Sequence, residues 1–210
     1  MSGPGQPVRF EPALAPEDQA RADHYGLIAR LFYLPPDEQL LGQLLSAPAR
    51  DDGAERSRQG ADFAAAWQAL VEACRSAFPV MLEQEHTALF VGTGKSEVTP
   101  YLSHYVLRHS LDNPLVDLRG QLAAWGLARR QEAGEPEDHI AGLCDAMRFA
   151  IAVQKRSLEE QKAFFERFVY RGGAAFCDAV TASGKAHFYK RVAQLARAFL
   201  EVEREAFEMI

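Results

Sequence analysis

Cysteine is scarce in this sequence. Its three thiols, Cys74, Cys144 and Cys177, are far apart and odd in number, and no Cys-x-x-Cys occurs. That pattern excludes a disulfide framework and a structural zinc site, and it fits buried, reduced thiols in a cytoplasmic protein. Long apolar runs are missing as well. None reaches the ~18 residues that span a bilayer, so no stable membrane insertion is expected. The opening residues, MSGPGQPVRFEPALAPEDQ, carry no basic stretch leading into an apolar one, so no secretory leader is expected. The adjacent pair Arg129-Arg130 is internal. Positive charge is in deficit: 23 Lys and Arg stand against 29 Asp and Glu, a net −6. A general nucleic-acid binder needs a basic footprint, so no nucleic-acid partner is expected. Mild acidity aids solubility and is compatible with a partner bearing arginine or lysine.

Alternating strand patterns are also lacking, and helical periodicity runs almost throughout. With 48% hydrophobic and 25% charged residues over 210 positions, the chain is ordinary for a globular domain with a substantial core. Residues 1–14 read as a flexible tail and 15–210 as one domain. Pro16 suits the first turn of a helix that Pro35-Pro36 stops. Asp37 suits the cap of a short second helix. After a polar loop over 46–60, Phe63, Trp67, Leu70, Cys74 and Phe78 form a buried stripe. Pro79 opens a helix ended by Gly92-Thr93-Gly94. Val98-Thr99-Pro100 reads as extended, and a short helix fits Tyr101–His109. Pro114 opens the next helix, and Pro136 fits the first turn of a long one. Ser157 and Glu160 make a capping-box pattern. Gly172-Gly173 reads as an interruption before a last helix carrying Phe188, Val192, Leu195 and Phe199. The expected fold is all-α, a single compact bundle of roughly eight to ten helices.

Three segments carry groups that can do chemistry. Glu83-Gln84-Glu85-His86 contains Glu-x-x-His, a motif that di-iron bundles use twice. A second copy is absent, so His86 reads as a partly buried helix residue. In Glu135-Pro136-Glu137-Asp138-His139, three carboxylates and an imidazole fall at a helix start. Acidic groups there complement the macrodipole, which accounts for the acids but not for His139, whose ring should tend towards neutral. Pro100-Tyr101-Leu102-Ser103-His104-Tyr105 suits either a groove lining or a helix start packed on the core. Gly92-Thr93-Gly94-Lys95-Ser96 fails as a phosphate loop, because the position that needs the first glycine is Leu89. No nucleophile or metal cluster accompanies these segments. No catalytic residue, metal ligand or cofactor is therefore expected.

Taken together, Glu85-His86-x-x-Leu89-Phe90-Val91-Gly92, Pro100-Tyr101-x-Ser103-x-Tyr105 and Glu135-Pro136-x-Asp138-His139-Ile140 resemble, in order and spacing, the TorD/DmsD/NarJ redox-enzyme maturation chaperones, the TorD/DmsD branch above all. The similarity runs on through Gln161-Lys162, Phe164-Phe165 and Phe188-Tyr189 and covers roughly residues 20–205. The resemblance implies an all-helical cytoplasmic chaperone, not an enzyme. Its partner would be the catalytic subunit of a molybdenum-containing oxidoreductase and that subunit's twin-arginine signal peptide, held back from export until the molybdopterin cofactor is inserted. The implied peptide-binding residues are Glu135, Pro136, Asp138 and His139, with Pro100, Tyr101, Ser103 and Tyr105 as groove neighbours. On this reading Glu135, Glu137 or Asp138 holds guanidinium groups, and His139 anchors a peptide carbonyl or orients Asp138. Two features depart from the family: Gly172-Gly173 lies near a position where tryptophan is common, and Leu102 and His104 differ from the usual residues. Two rival readings remain: a NarJ-like assembly factor for a non-exported molybdoenzyme, and a metal-dependent helical enzyme using Glu83, His86 and Asp138 or His139. A homodimer with exchanged helices is left open.

Overall fold

The structure is a computed structural model, and it describes residues 13–47, 57–91, 96–106, 114–128 and 135–210. Most of the expected tail, most of the 46–60 loop, the Gly92–Gly94 stop, His109 and the Arg129-Arg130 pair lie outside the described residues.

Helices begin and end where side chains satisfy their terminal backbone groups. Helix α1, Pro16–Tyr33, has proline in its first turn. It stops at Leu34, which the following prolines hold extended at φ −139°, ψ 149°. The Asp37 carboxylate accepts the Leu40 N–H at 2.8 Å and starts α2, Glu38–Ser46. Helix α3 covers Arg58–Arg75. Of the expected buried stripe only Leu70 and Cys74 are buried. Phe63 and Trp67 are partly buried against the core, and Phe78 lies beyond α3, precedes α4 (Pro79–His86) and is 69% exposed. Helix α4 widens into a π-helical turn, Thr87–Val91. Short α5 is Ser103–Val106, and α6 is Pro114–Ala124. Helix α7 is Ile140–Ala152. Helix α8, Leu158–Phe164, starts with the complete Ser157/Glu160 capping box. A π-helical stretch, Phe165–Tyr170, carries it into α9, Arg171–Ala182. Helix α10 is Phe188–Glu208.

The result is a compact all-helical bundle with no strand among the described residues. Helix α1 packs along α7, and α10 packs against α3 and α9. Tyr25, Phe32, Phe164, Phe165, Phe176 and Tyr189 are the largest fully buried side chains, and they draw on α1, α8, the π-helical stretch, α9 and α10. Cys74, Cys144 and Cys177 are free and buried.

Gly172-Gly173 does not interrupt anything. Both glycines are buried inside a continuous helix. A Cβ on Gly172 would lie 2.7 Å from Leu102 Cβ and 2.8 Å from the Leu102 carbonyl oxygen. The missing side chain lets α9 press directly on the 100–106 segment.

Candidate functional site

Two of the singled-out segments meet in space. The Leu102 N–H donates to the Asp138 carbonyl at 2.9 Å, and the Ile140 N–H donates to the Pro100 carbonyl at 2.9 Å. Tyr101 and His139 thereby form an isolated antiparallel bridge. This pairing holds residues 138–139 out of the helical conformation, so α7 begins at Ile140 and not at Pro136 as the sequence suggests. The carboxylates therefore stand in the turn before the helix.

Each of these side chains is held in place. Asp138 is buried, and its Oδ2 accepts from both the Ser103 hydroxyl and the Ser103 N–H. It acts as a clasp between the segments, and Ser103, not His139, orients it. The Tyr101 hydroxyl donates to Glu135 Oε2 at 2.6 Å. Burial and the neighbouring carboxylate push that hydroxyl up to about 12, so it keeps its proton. His139 caps α7: its Nδ1 accepts the Ala141 N–H at 3.1 Å. Nδ1 is therefore unprotonated and the neutral ring carries its proton on Nε2. Burial lowers the His139 pKa below 6.5, against the pull of Glu135 and Asp138. The ring meets Tyr33 and Tyr101 edge-on, at centroid distances of 6.3 and 5.8 Å.

Beside this turn runs a cleft of about 1020 Å³ between α1, α6 and α7. Its apolar lining includes Tyr33, Leu122, Leu127, Phe149 and Val153; Tyr33 and Val153 are about half exposed, at 48% and 58%. Glu135, Pro136, Glu137 and His139 border it. Asp138, Pro100, Tyr101, Ser103 and Tyr105 do not. Tyr101 reaches the rim through Glu135, Ser103 braces the turn through Asp138, and the buried Pro100 contributes its carbonyl. The Tyr105 hydroxyl donates to the Thr99 carbonyl at 2.8 Å and fixes the segment's own bend.

The third segment lies elsewhere and works differently. Glu85 accepts three backbone N–H groups, those of His187, Phe188 and Tyr189, at 2.8, 3.2 and 2.9 Å. It caps α10 from a position 102 residues earlier, which no local sequence pattern reveals. His86 is buried against Phe90 and Tyr189. Among the described residues no group of three or more His, Cys, Asp or Glu side chains is placed to hold a metal ion. Sequence reasoning also missed Arg119, which pairs with Glu137, because 18 residues separate them.

Comparison with known proteins defines the class first. The fold matches a crystal structure described as a redox enzyme maturation protein from Archaeoglobus fulgidus, with a TM-score of 0.55 at 16% identity over 94% of this chain and 99% of that one. The model of the nitrate reductase delta subunit family matches residues 58–178, more than half of the chain, and the chain belongs to that family. Relatives named chaperone protein TorD agree. One from Photobacterium profundum is 31% identical over 133 residues, which is 58% of this chain and 62% of that protein. Those from Vibrio cholerae and Shewanella loihica are 25% and 27% identical over 91% of this chain and 93% and 94% of their own lengths. The resemblance to redox-enzyme maturation chaperones holds, and these relatives are chaperones, not enzymes.

Proposed function

We propose that the protein is a maturation chaperone for a molybdenum-containing oxidoreductase and that it binds the enzyme's twin-arginine signal peptide in the cleft between α1, α6 and α7. Residues 15–210 act as one chaperone domain in the cytoplasm, and they delay export until the client's cofactor is in place. The observation that carries this reading is the bridge between Tyr101 and His139, which fixes an acidic turn at the edge of an apolar cleft.

A signal peptide presents a cationic start and an apolar stretch that becomes helical in a groove. The cleft suits the second part by helix-in-groove docking. Glu135 suits the first: among the described residues it accepts a side-chain hydrogen bond from the neutral Tyr101 hydroxyl, and no lysine or arginine lies at ion-pair distance from it. Ordering a flexible peptide opposes binding, so an affinity near micromolar, about −8 kcal/mol, fits a chaperone that must release its client.

Isothermal titration with a twin-arginine peptide tests this. Saturable binding is expected, weakened about tenfold or more by Val153→Asp, which puts a charge on an exposed cleft position without touching the core, and by Glu135→Gln. A folded wild-type protein that ignores the peptide, or a Val153→Asp variant that binds it unchanged, would sink the reading. A second reading, an assembly factor acting on the mature part of its client, is favoured by the family's description as a nitrate reductase subunit. Undiminished capture of a client lacking its signal sequence would select it.

A further inference from the structure

One carboxylate of the rim already holds a guanidinium. Arg119, on α6, donates from Nε to one oxygen of Glu137 and from Nη2 to the other, each at 3.1 Å. This is the planar fork by which a carboxylate recognises arginine. The Glu137 side chain is 15% accessible and that of Arg119 55%. The carboxylate is thus set into the rim, with the guanidinium over it on the solvent side.

The other charges bordering the cleft are engaged differently. Arg148 pairs with Asp145 through a single contact of 2.7 Å. Arg30 is tied to the carbonyls of Leu34 and Pro35 and to Asp37. Glu135 accepts from Tyr101. Among the described residues bordering the cleft, Glu137 alone has both oxygens engaged by one arginine.

We propose that Arg119 is an internal stand-in for the client's arginine. In the empty protein it occupies Glu137, and a guanidinium of the bound peptide displaces it. Glu137 is then the residue that selects arginine over lysine, because an ammonium cannot reproduce the fork. The proposal rests on reading the cleft as the signal-peptide site. Exchange is easy because the arginine side of the pair is open to solvent, where the attraction is weakened and screened by salt. It also replaces one arginine by another on the same carboxylate, so this contact adds little salt dependence to wild-type binding. Without Arg119, the incoming guanidinium has no such competitor to displace, and binding becomes both tighter and more salt-sensitive.

The experiment is titration of the full chain with two synthetic peptides, one bearing Arg-Arg ahead of an apolar stretch and one bearing Lys-Lys there, at low and high salt. Arg119→Gln should tighten the Arg-Arg peptide about two- to fivefold at low salt, with a smaller gain for Lys-Lys and a steeper salt dependence. Arg119→Lys, which keeps the charge and loses the fork, should give part of that gain. Glu137→Gln should abolish discrimination between the peptides. Equal gains for both peptides would report a general change of surface charge and overturn the exchange. So would Arg119→Gln binding with wild-type affinity and salt response, and in that case peptide binding itself stands. If the wild-type protein binds neither peptide, the signal-peptide reading falls and the exchange with it.

Discussion

His139 is both a helix cap and a wall of the cleft, and the two roles demand the same protonation state. Its Nδ1 accepts the Ala141 N–H, which a doubly protonated ring cannot do. Burial lowers its pKa from 6.5; Glu135 and Asp138 raise it, and His86 lowers it further. A folded-state value below the unfolded one means that the unfolded chain binds more protons in that range. Stability is therefore fully present above about 6.5 and falls as pH drops through that value towards the folded pKa. Burial also lowers the pKa of His86, with the same sign. Thermal melts should thus show a falling Tm below pH 6.5. His139→Asn, whose carbonyl oxygen can still cap α7, should make that slope shallower while leaving the Tm near pH 8 within a few degrees. An unchanged slope would show that His139 titrates alike in both states. The sequence suggested a neutral His139. That the ring serves Ala141, and leaves Asp138 to Ser103, depends on a contact 35 residues away in the chain.

Helix ends were legible where a cap is local. Asp37, Ser157 with Glu160, and the prolines at 16, 79 and 114 all act within one turn of the helix they start. The start of α7 was not, because pairing with residues 100–102 overrides the helical preference of Pro136. Phe78 fits the period of α3 but falls past its end, and the π-helical turns leave no mark in the residue types. Gly172 reads in the sequence as an interruption, yet its role is close packing. Gly172→Ala should lower stability by about 1–3 kcal/mol, since the added methyl meets the Leu102 backbone, which cannot swing aside. At Gly173 the neighbour is the flexible end of Leu200 at 3.0 Å, so alanine there should cost less. Gly120→Ala on α6 meets nothing within 4 Å and should gain up to about 1 kcal/mol through helix propensity. Urea unfolding of the three variants should rank them in that order. A Gly172→Ala protein as stable as Gly120→Ala would mean that α9 does not bear on the site's backing segment.

At the scale of the molecule, the all-helical class could be read from the 3.6-residue period, but not the closure of the bundle by its first and last helices. Arg21 on α1 makes two contacts with Glu203 on α10, at 2.8 and 2.9 Å, and the Tyr25 hydroxyl donates to the same carboxylate at 3.0 Å. The partners lie 182 residues apart, and nothing local in either helix announces the other. The pair is asymmetric: the Glu203 side chain is 2% accessible and that of Arg21 18%. Arg21 also reaches Asp18 at 3.0 Å. Arg21→Ala would leave a carboxylate deep in the protein with only a neutral hydroxyl beside it, a loss of about 3–5 kcal/mol. Glu203→Gln removes the buried charge, keeps an acceptor for Tyr25, and leaves an arginine that can turn towards Asp18 and solvent, so its loss should be smaller. Replacing both with apolar residues of similar size should recover part of the stability, because the desolvation of two charges disappears with their attraction while the buried Tyr25 hydroxyl loses its acceptor. Equilibrium denaturation of Arg21→Ala, Glu203→Gln and Arg21→Met/Glu203→Leu measures all three. If Arg21→Ala were the mildest of them, the ion pair would be a surface ornament and the closure of α1 on α10 would rest on apolar packing alone.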